Sequence, residues 1–486
     1  MTRLSYRSTR GQAPARAFDD LLLAGLAPDG GLYMPSEWPR LSAAALGGPA
    51  ALSFAETVAE VMRLFAPDSV LADRFLPFAE RAYADFPRPE AAPLVSLGGN
   101  RWFLELFHGP SFAFKDFAMQ YLGQLIPALL EHRGEAVTIL AATSGDTGSA
   151  AIAAFAGKPA TRVVVLHPEG RVSDMQRRQM TAARAANVVN FAVDGDFDDC
   201  QALVKSAFGD RDLVERHGLV AVNSINWARI VAQSAYYVAA ALRLGGRDGR
   251  GVKFVVPSGN FGNAYAARVA RNIGAPVASA GVATNRNDIL ARFFGDGAME
   301  RRAVVATIAP SMDIQVASNF ERLLFEILDG DAARLRDILA EFAGSGRFTV
   351  ASEVLERARE FFWGAAVSEA EIEEEIRRWH EARGLLPDPH SAVGLVAMRR
   401  RFGDGDGDSD GGAVVALGCA HPAKFADTVE RAAGVAPVMP AALAELGGRT
   451  ERVSRLAGNF DDLRRALDAL PSSSSSSSTP PLESVA

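Results

Sequence analysis

The residue best suited to covalent chemistry is Lys115, in the segment His108-Gly109-Pro110-Ser111-Phe112-Ala113-Phe114-Lys115-Asp116-Phe117. Five of the 51 basic residues are lysines, at 115, 158, 205, 253 and 424, and the rest are arginines. Where positive charge alone is needed this chain has nearly always used Arg, so a retained lysine points to a use for its amine. An amine can form a Schiff base with an aldehyde, and a guanidinium cannot. Phe112, Phe114 and Phe117 give this amine an apolar setting, which disfavours the charged form. Taken alone, the segment also fits a surface lysine at a helix start.

Three further segments join a β-branched run to a Gly-rich turn and then to a helix. In Val255-Val256-Pro257-Ser258-Gly259-Asn260-Phe261-Gly262-Asn263-Ala264 the helix is expected over 264–272. Backbone N–H groups at a helix start are unpaired and carry partial positive charge, and glycines let an anion approach closely. This loop therefore reads as a phosphate cradle. It lacks the Lys-Ser/Thr of a P-loop and the GxGxxG of dinucleotide sites. The loop Thr143-Ser144-Gly145-Asp146-Thr147-Gly148-Ser149 is built alike and could hold a carboxylate or second phosphate; Asp146 or Thr147 could equally cap the helix. The third is Gly418-Cys419-Ala420-His421-Pro422-Ala423-Lys424-Phe425.

The elements that must position these loops follow from the same pattern. Apolar runs at Val137–Ala141, Arg162–Leu166, Val188–Val193, Leu219–Val222, Val252–Val256, Val277–Val282 and Ala413–Leu417 alternate with turns and Ala-rich helical stretches. That alternation predicts an α/β protein with parallel sheets covered by helices. In open sheets of this kind ligands bind at the carboxyl ends of the strands, where all three loops lie. Residues 1–95 read as a mostly helical N-terminal region, with a helix over Phe54–Phe65. Residues 96–470 read as the catalytic part, with a helical insertion about 319–380. The run Glu369–Glu375 is expected to be a solvated helix face, 403–412 an exposed loop, and 471–486, with seven consecutive serines, a disordered tail.

Composition narrows the function. The chain has 486 residues, 48% hydrophobic, with a net charge of −7 and no basic stripe, so neither nucleic acid nor an anionic membrane is an expected partner. No run approaches a membrane span, the N-terminus lacks a signal-peptide core, and two cysteines cannot form a disulfide framework. A cytoplasmic enzyme, monomer or homodimer, is the expectation. No His/Cys cluster has zinc spacing, so no catalytic metal is expected.

The tracts 108–117, 143–149, 258–263 and 420–425 resemble the pyridoxal-phosphate motifs of the threonine synthase family in its longer bacterial and fungal form. Tyr6–Gly11, Asp29–Tyr33, Asn223–Arg229, Ala283–Asp288 and Ser311–Gln315 extend that resemblance over nearly the whole chain. It implies the tryptophan-synthase-β-like fold, type II of the pyridoxal-phosphate enzymes, with two parallel-sheet lobes around a cofactor cleft. It implies conversion of O-phospho-L-homoserine and water to L-threonine and phosphate. Lys115 would join the cofactor aldehyde and then serve as general base and acid. Gly259, Asn260, Phe261, Gly262 and Asn263 would hold the cofactor phosphate, and residue 419 would face the pyridine nitrogen. The family usually carries Ser/Ala-Thr where this chain has Gly418-Cys419. A thiol is neutral but a weak hydrogen-bond partner, which predicts slower turnover without a changed reaction. Cys419 would equally suit a small buried apolar site.

The substrate adds a carboxylate and a second phosphate. Ser144 and Thr147 are the candidates for the carboxylate. Arg10 and Arg229, with Lys424 in reserve, are the candidates for the substrate phosphate. Asp146 is expected near the cofactor, or as a helix cap. His421 and Trp227 would line the cleft or pack into the core. A related phospho-lyase and a catalytically weakened cofactor-binding protein are the alternatives.

Overall fold

The computed structural model describes residues 4–46, 52–245, 249–403 and 411–471. The tail and most of the 403–412 loop lie outside that set. Two sheets organise the chain. The larger has six strands in the order Phe362–Ala366, Val277–Thr284, Val252–Pro257, Val414–Gly418, Arg101–Glu105, Leu94–Gly98, all parallel except the last pair. The smaller is wholly parallel, in the order Ser454–Leu456, Val188–Val193, Thr161–Pro168, Val137–Ala142, Leu219–Val220. These are the two expected lobes. Central strands buried on both faces read as continuous apolar runs, which is why Val137–Ala142 and Val252–Pro257 stood out in the sequence.

Three details differ from expectation. The boundary at 95/96 falls inside the strand Leu94–Gly98. The stretch 319–380 is mostly helical but contains two strands, Arg347–Thr349 and Phe362–Ala366. The second is an edge of the large sheet, and its Gly364 lies so near Ala291 that an added Cβ would sit 2.7 Å from the Ala291 Cα. Glu375, in the acidic run, is buried and paired with Arg399 at 2.8 Å.

The N-terminal region has helices at Phe18–Leu23, Phe54–Phe65 and Phe75–Tyr83, and a two-stranded pair, Tyr6–Ser8 with Tyr33–Pro35. Ser53 and Glu56 form a reciprocal capping box that fixes where the second helix starts. Its Phe54 packs on Phe117, two residues beyond Lys115, with ring centroids 5.3 Å apart. The Tyr83 hydroxyl donates to the Phe117 carbonyl at 2.7 Å. This region therefore buttresses the helix Lys115–Arg133 that carries the amine. Trp227 belongs to the same core: it is 1% exposed, against Tyr6, Trp38 and Phe65.

Candidate active site

Lys115 opens its helix just beyond the carboxyl end of the strand Arg101–Glu105. The intervening loop is held tightly. Gly109 leaves no room for a side chain, since an added Cβ would sit 2.5 Å from the Asp116 Cβ. Asp116 is fully buried and accepts from the Ser111 N–H at 2.8 Å; burial pushes its carboxyl up to about 6. The loop also zips onto the third Gly-rich turn. Phe114 N–H donates to the Cys419 carbonyl at 2.8 Å, and His421 N–H donates to the Phe112 carbonyl at 3.0 Å. Residue 419 is thereby fixed beside the start of the Lys115 helix. The Lys115 Nζ lies 4.7 Å from the Phe114 ring centroid and is partly exposed, at 12% of its side-chain surface.

Asp146 organises the polar side of the site. Its carboxylate receives Lys115 Nζ at 3.2 Å, Lys424 Nζ at 2.7 Å, Gln176 Nε2 at 2.9 Å and Ser311 Oγ at 3.1 Å. Burial alone would raise this carboxyl, but Lys115, Lys424 and His390 beside it hold it well below its ordinary range. Asp146 is not a helix cap: the cap position is Gly145, with φ of 130°, and no side chain bonds there. The loop is braced instead by Thr143 Oγ1, which accepts the N–H groups of Gly145 and Gly148, each at 2.9 Å. Ser144 and Thr147 are half-buried, and their hydroxyls have no hydrogen-bond partner among the described residues.

The cradle has the expected strand, turn and helix, with the helix starting two residues earlier than expected. Its helix spans Gly262–Asn272 and begins at Phe261, which is left-handed at φ 64° and offers no side-chain cap. A left-handed phenylalanine is strained. Its ring is held by Phe320 at 5.3 Å and Phe362 at 5.1 Å. The glycines are required by close approach: a Cβ at Gly259 would sit 3.0 Å from the Ser311 carbonyl oxygen, and one at Gly262 3.0 Å from Asn319 Nδ2. Asn263 Oδ1 accepts from the hydroxyls of Tyr236 and Tyr237. Asn263 Nδ2 and Ser258 Oγ are buried with no partner. Unsatisfied buried polar groups are uncommon and costly. Donors left open beside a bare helix start fit a phosphate group. Ser311 closes the gap between the two halves: its hydroxyl donates to Asp146 and its carbonyl lies against Gly259.

Cys419 is buried at the other edge. Its N–H donates to Ser391 Oγ at 2.7 Å, and burial, with Asp388 adding, pushes the thiol well above its ordinary value, so it is neutral. His421, half-buried, is pushed down to about 4 by burial and His108, and is neutral too. Among the described residues no cluster of His, Cys, Asp or Glu could hold a metal ion.

Of the three cations expected at the substrate phosphate, two are paired with carboxylates and the third is buried. Lys424 is fully buried between Asp146 and the Ser111 carbonyl, 2.8 Å away. Arg10 gives Nε and Nη2 to Glu321 at 3.3 and 3.1 Å. Arg229 is 3% exposed and donates to the Val222 carbonyl at 2.8 Å. Sequence position identified the tracts but not the direction of these long side chains. Gln176, Ser311 and the group Asp388–His390–Ser391 were missed. His390 Nε2 accepts the Ser311 N–H at 3.1 Å, while its Nδ1 lies 2.9 Å from Asp388. Asp388 preceding Pro389 is a legible helix start, but nothing local shows that its carboxylate also receives the Ala420 N–H at 3.2 Å.

An amine joined through Asp146 and Ser311 to a Gly-rich helix start, at the carboxyl ends of parallel strands, is the arrangement of a pyridoxal-phosphate-dependent enzyme, and the family model described as "Pyridoxal-phosphate dependent enzyme" matches residues 90–341. The models "Threonine synthase N terminus" and "Threonine synthase, C-terminal" match residues 5–83 and 391–466. The threonine synthase of Pseudomonas aeruginosa is 46% identical over 456 residues, covering 93% of this chain and 96% of that protein. The pyridoxal-phosphate-bound threonine synthase from Brucella melitensis superposes with a TM-score of 0.90 at 43% identity, over 96% of this chain and 98% of that one. The yeast threonine synthase structure gives 0.88 at 37% identity, over 96% and 98%. The chain belongs to the threonine synthase family, whose enzymes are pyridoxal-phosphate-dependent lyases.

Proposed function

We propose that the chain converts O-phospho-L-homoserine and water to L-threonine and inorganic phosphate at the cleft between Lys115, Asp146, Cys419 and the loop 258–263. The observation that carries this reading is one partly exposed amine, 3.2 Å from a buried carboxylate that Ser311 links to the cradle. When bound, the cofactor supplies an electron sink for charge developing at the substrate carbons. The protein's own groups do the rest. Lys115 holds the cofactor aldehyde and, once released, moves protons at Cα and Cβ of the substrate as general base and then acid. Asp146 fixes the amine's direction. Cys419 offers a neutral partner to the ring nitrogen. The N–H groups of 261–263, with Ser258 Oγ and Asn263 Nδ2, hold the cofactor phosphate. Ser144 and Thr147 offer hydroxyls to the substrate carboxylate. Arg10 is paired with Glu321 and Lys424 with Asp146, while Arg229 is buried beneath the surface, so none of the three is assigned to the substrate phosphate.

The setting we propose is the cytoplasm, with a small phosphorylated amino acid as partner and neither nucleic acid nor membrane. The net charge of −7 and the two free, buried cysteines support it. No helix among the described residues is long and apolar enough to cross a membrane. The test is product stoichiometry. Purified protein supplied with O-phospho-L-homoserine should release phosphate and threonine in equal amounts, and Lys115→Ala should release neither. Phosphate without threonine would replace this reading with a phospho-lyase.

A further inference from the structure

Two arginines are buried with no carboxylate partner. Arg322, at 0% exposure, donates to the carbonyls of Tyr33 at 3.3 Å and Ile225 at 2.7 Å and to Asn319 Oδ1, with the Trp227 ring 5.5 Å away. Arg229 donates only to the Val222 carbonyl, and its Nε has no partner. Neither forms an ion pair among the described residues. Burial pushes both guanidinium groups down to about 10, which still leaves them charged near neutral pH. A buried charge without a counter-ion is strongly unfavourable, so two such charges in one region call for an anion.

Arg322 reaches the loop 258–263 through Asn319, and Arg229 sits on the helix whose Tyr236 bonds that loop. Arg322 bonds Asn319, whose N–H and Nδ2 donate to the Asn260 carbonyl at 3.1 and 3.2 Å. The carbonyl and N–H of one peptide point in opposite directions. Pinning the Asn260 carbonyl to Asn319 therefore aims the Phe261 N–H away from Asn319, towards the cradle. Arg229 lies seven residues, two helical turns, before Tyr236 on the helix Trp227–Gly245, and the Tyr236 hydroxyl donates to Asn263 Oδ1. The next residue, Ile230, reaches Gly262 from its own side, 3.3 Å from where a Cβ would stand.

We propose that Arg229 and Arg322 are positioning residues for the cofactor phosphate: they supply fixed positive charge behind the cradle, and Arg322 acts through Asn319 to orient the peptide that binds the anion. This rests on the reading of 258–263 as the phosphate site. Both arginines have only neutral hydrogen-bond partners; Glu321, whose charge is felt at Arg322, is paired instead with Arg10 and Thr9, which leaves the arginine's field available to a phosphate.

The test compares pyridoxal phosphate with pyridoxal, which lacks the phosphate, on full-length protein stripped of cofactor. Arg322→Met and Arg229→Met should each weaken pyridoxal phosphate by about tenfold or more and leave pyridoxal within about twofold. Cofactor-free Arg229→Met should be at least as heat-stable as the parent, since it loses an uncompensated charge. Equal weakening of both ligands would mean a merely structural role and overturn the proposal. So would unchanged affinity for both while Asn263→Ala selectively weakens pyridoxal phosphate. Selective loss of O-phosphohomoserine binding would assign the arginines to the substrate and overturn it as well. If Asn263→Ala is also unselective, the cradle reading fails and the proposal with it. Should Arg322→Met not fold, Arg229→Met decides.

Discussion

Replacing Asp146 with Asn tests the charge balance at the centre of the site. The substitution keeps the shape and one acceptor but removes the negative charge between two ammonium groups, at 3.2 and 2.7 Å. Lys115 is partly exposed and can turn towards solvent. Lys424 is at 0% exposure and cannot, so the penalty falls on it. Breaking one partner from a buried pair costs about 3–5 kcal/mol. A ceiling comes from the proton itself: an ordinary lysine can become neutral at pH 7 for about 5 kcal/mol, and at pH 9 for about 2 kcal/mol. Asp146→Asn should therefore lose about 3–5 kcal/mol at pH 7 and about 2 kcal/mol at pH 9. The assay is urea unfolding of cofactor-free protein, followed by tryptophan fluorescence at both pH values. A loss under about 1 kcal/mol at pH 7, or an equal loss at both pH values, would refute the reasoning, since surface pairs alone give values that small.

Two other perturbations follow from buried groups near the amine. Asp116 has an ordinary value of 3.8 raised to about 6 in the fold, so the stability it contributes is complete below pH 3.8 and is lost as pH rises through about 6. Asp116→Asn should abolish that loss, and its stability relative to the parent should grow by about 2.5 kcal/mol between pH 4 and 7; parallel stability curves would contradict the burial of the carboxyl. Cys419→Thr exchanges a weak donor for a hydroxyl while keeping the group neutral, so phosphate release should be retained or faster. Complete loss of turnover in a folded Cys419→Thr protein would remove residue 419 from the cofactor ring.

Much of the fold was legible because strands buried on both faces are written in β-branched runs. Val188–Val193 was read to the residue, and Val137–Ala142 and Val252–Pro257 to within one. Phe362–Ala366 was not, because an edge strand of Phe-Trp-Gly-Ala-Ala has no β-branched residue and meets Ala291 through a glycine. The turns that carry chemistry were visible because their glycines and helix starts are local features. The partners of Asp146 were not. Gln176, Ser311 and Lys424 lie 30, 165 and 278 residues away along the chain, and no local pattern connects them. Lys424 shows the limit most clearly. Its lysine identity marked it as special in an arginine-rich chain, yet only the fold shows that its charge is spent inside the protein, on Asp146.

That same pair of lysines makes the central claim testable in one step. Two ammonium groups share one carboxylate, and the account assigns the covalent role to the partly exposed one. Borohydride reduction of the cofactor-loaded protein, followed by proteolysis and mass spectrometry, locates the amine that carried the aldehyde. The account predicts the cofactor's added mass on the peptide containing Lys115 and on no other. Label on Lys424, or on any of Lys158, Lys205 and Lys253, would contradict it.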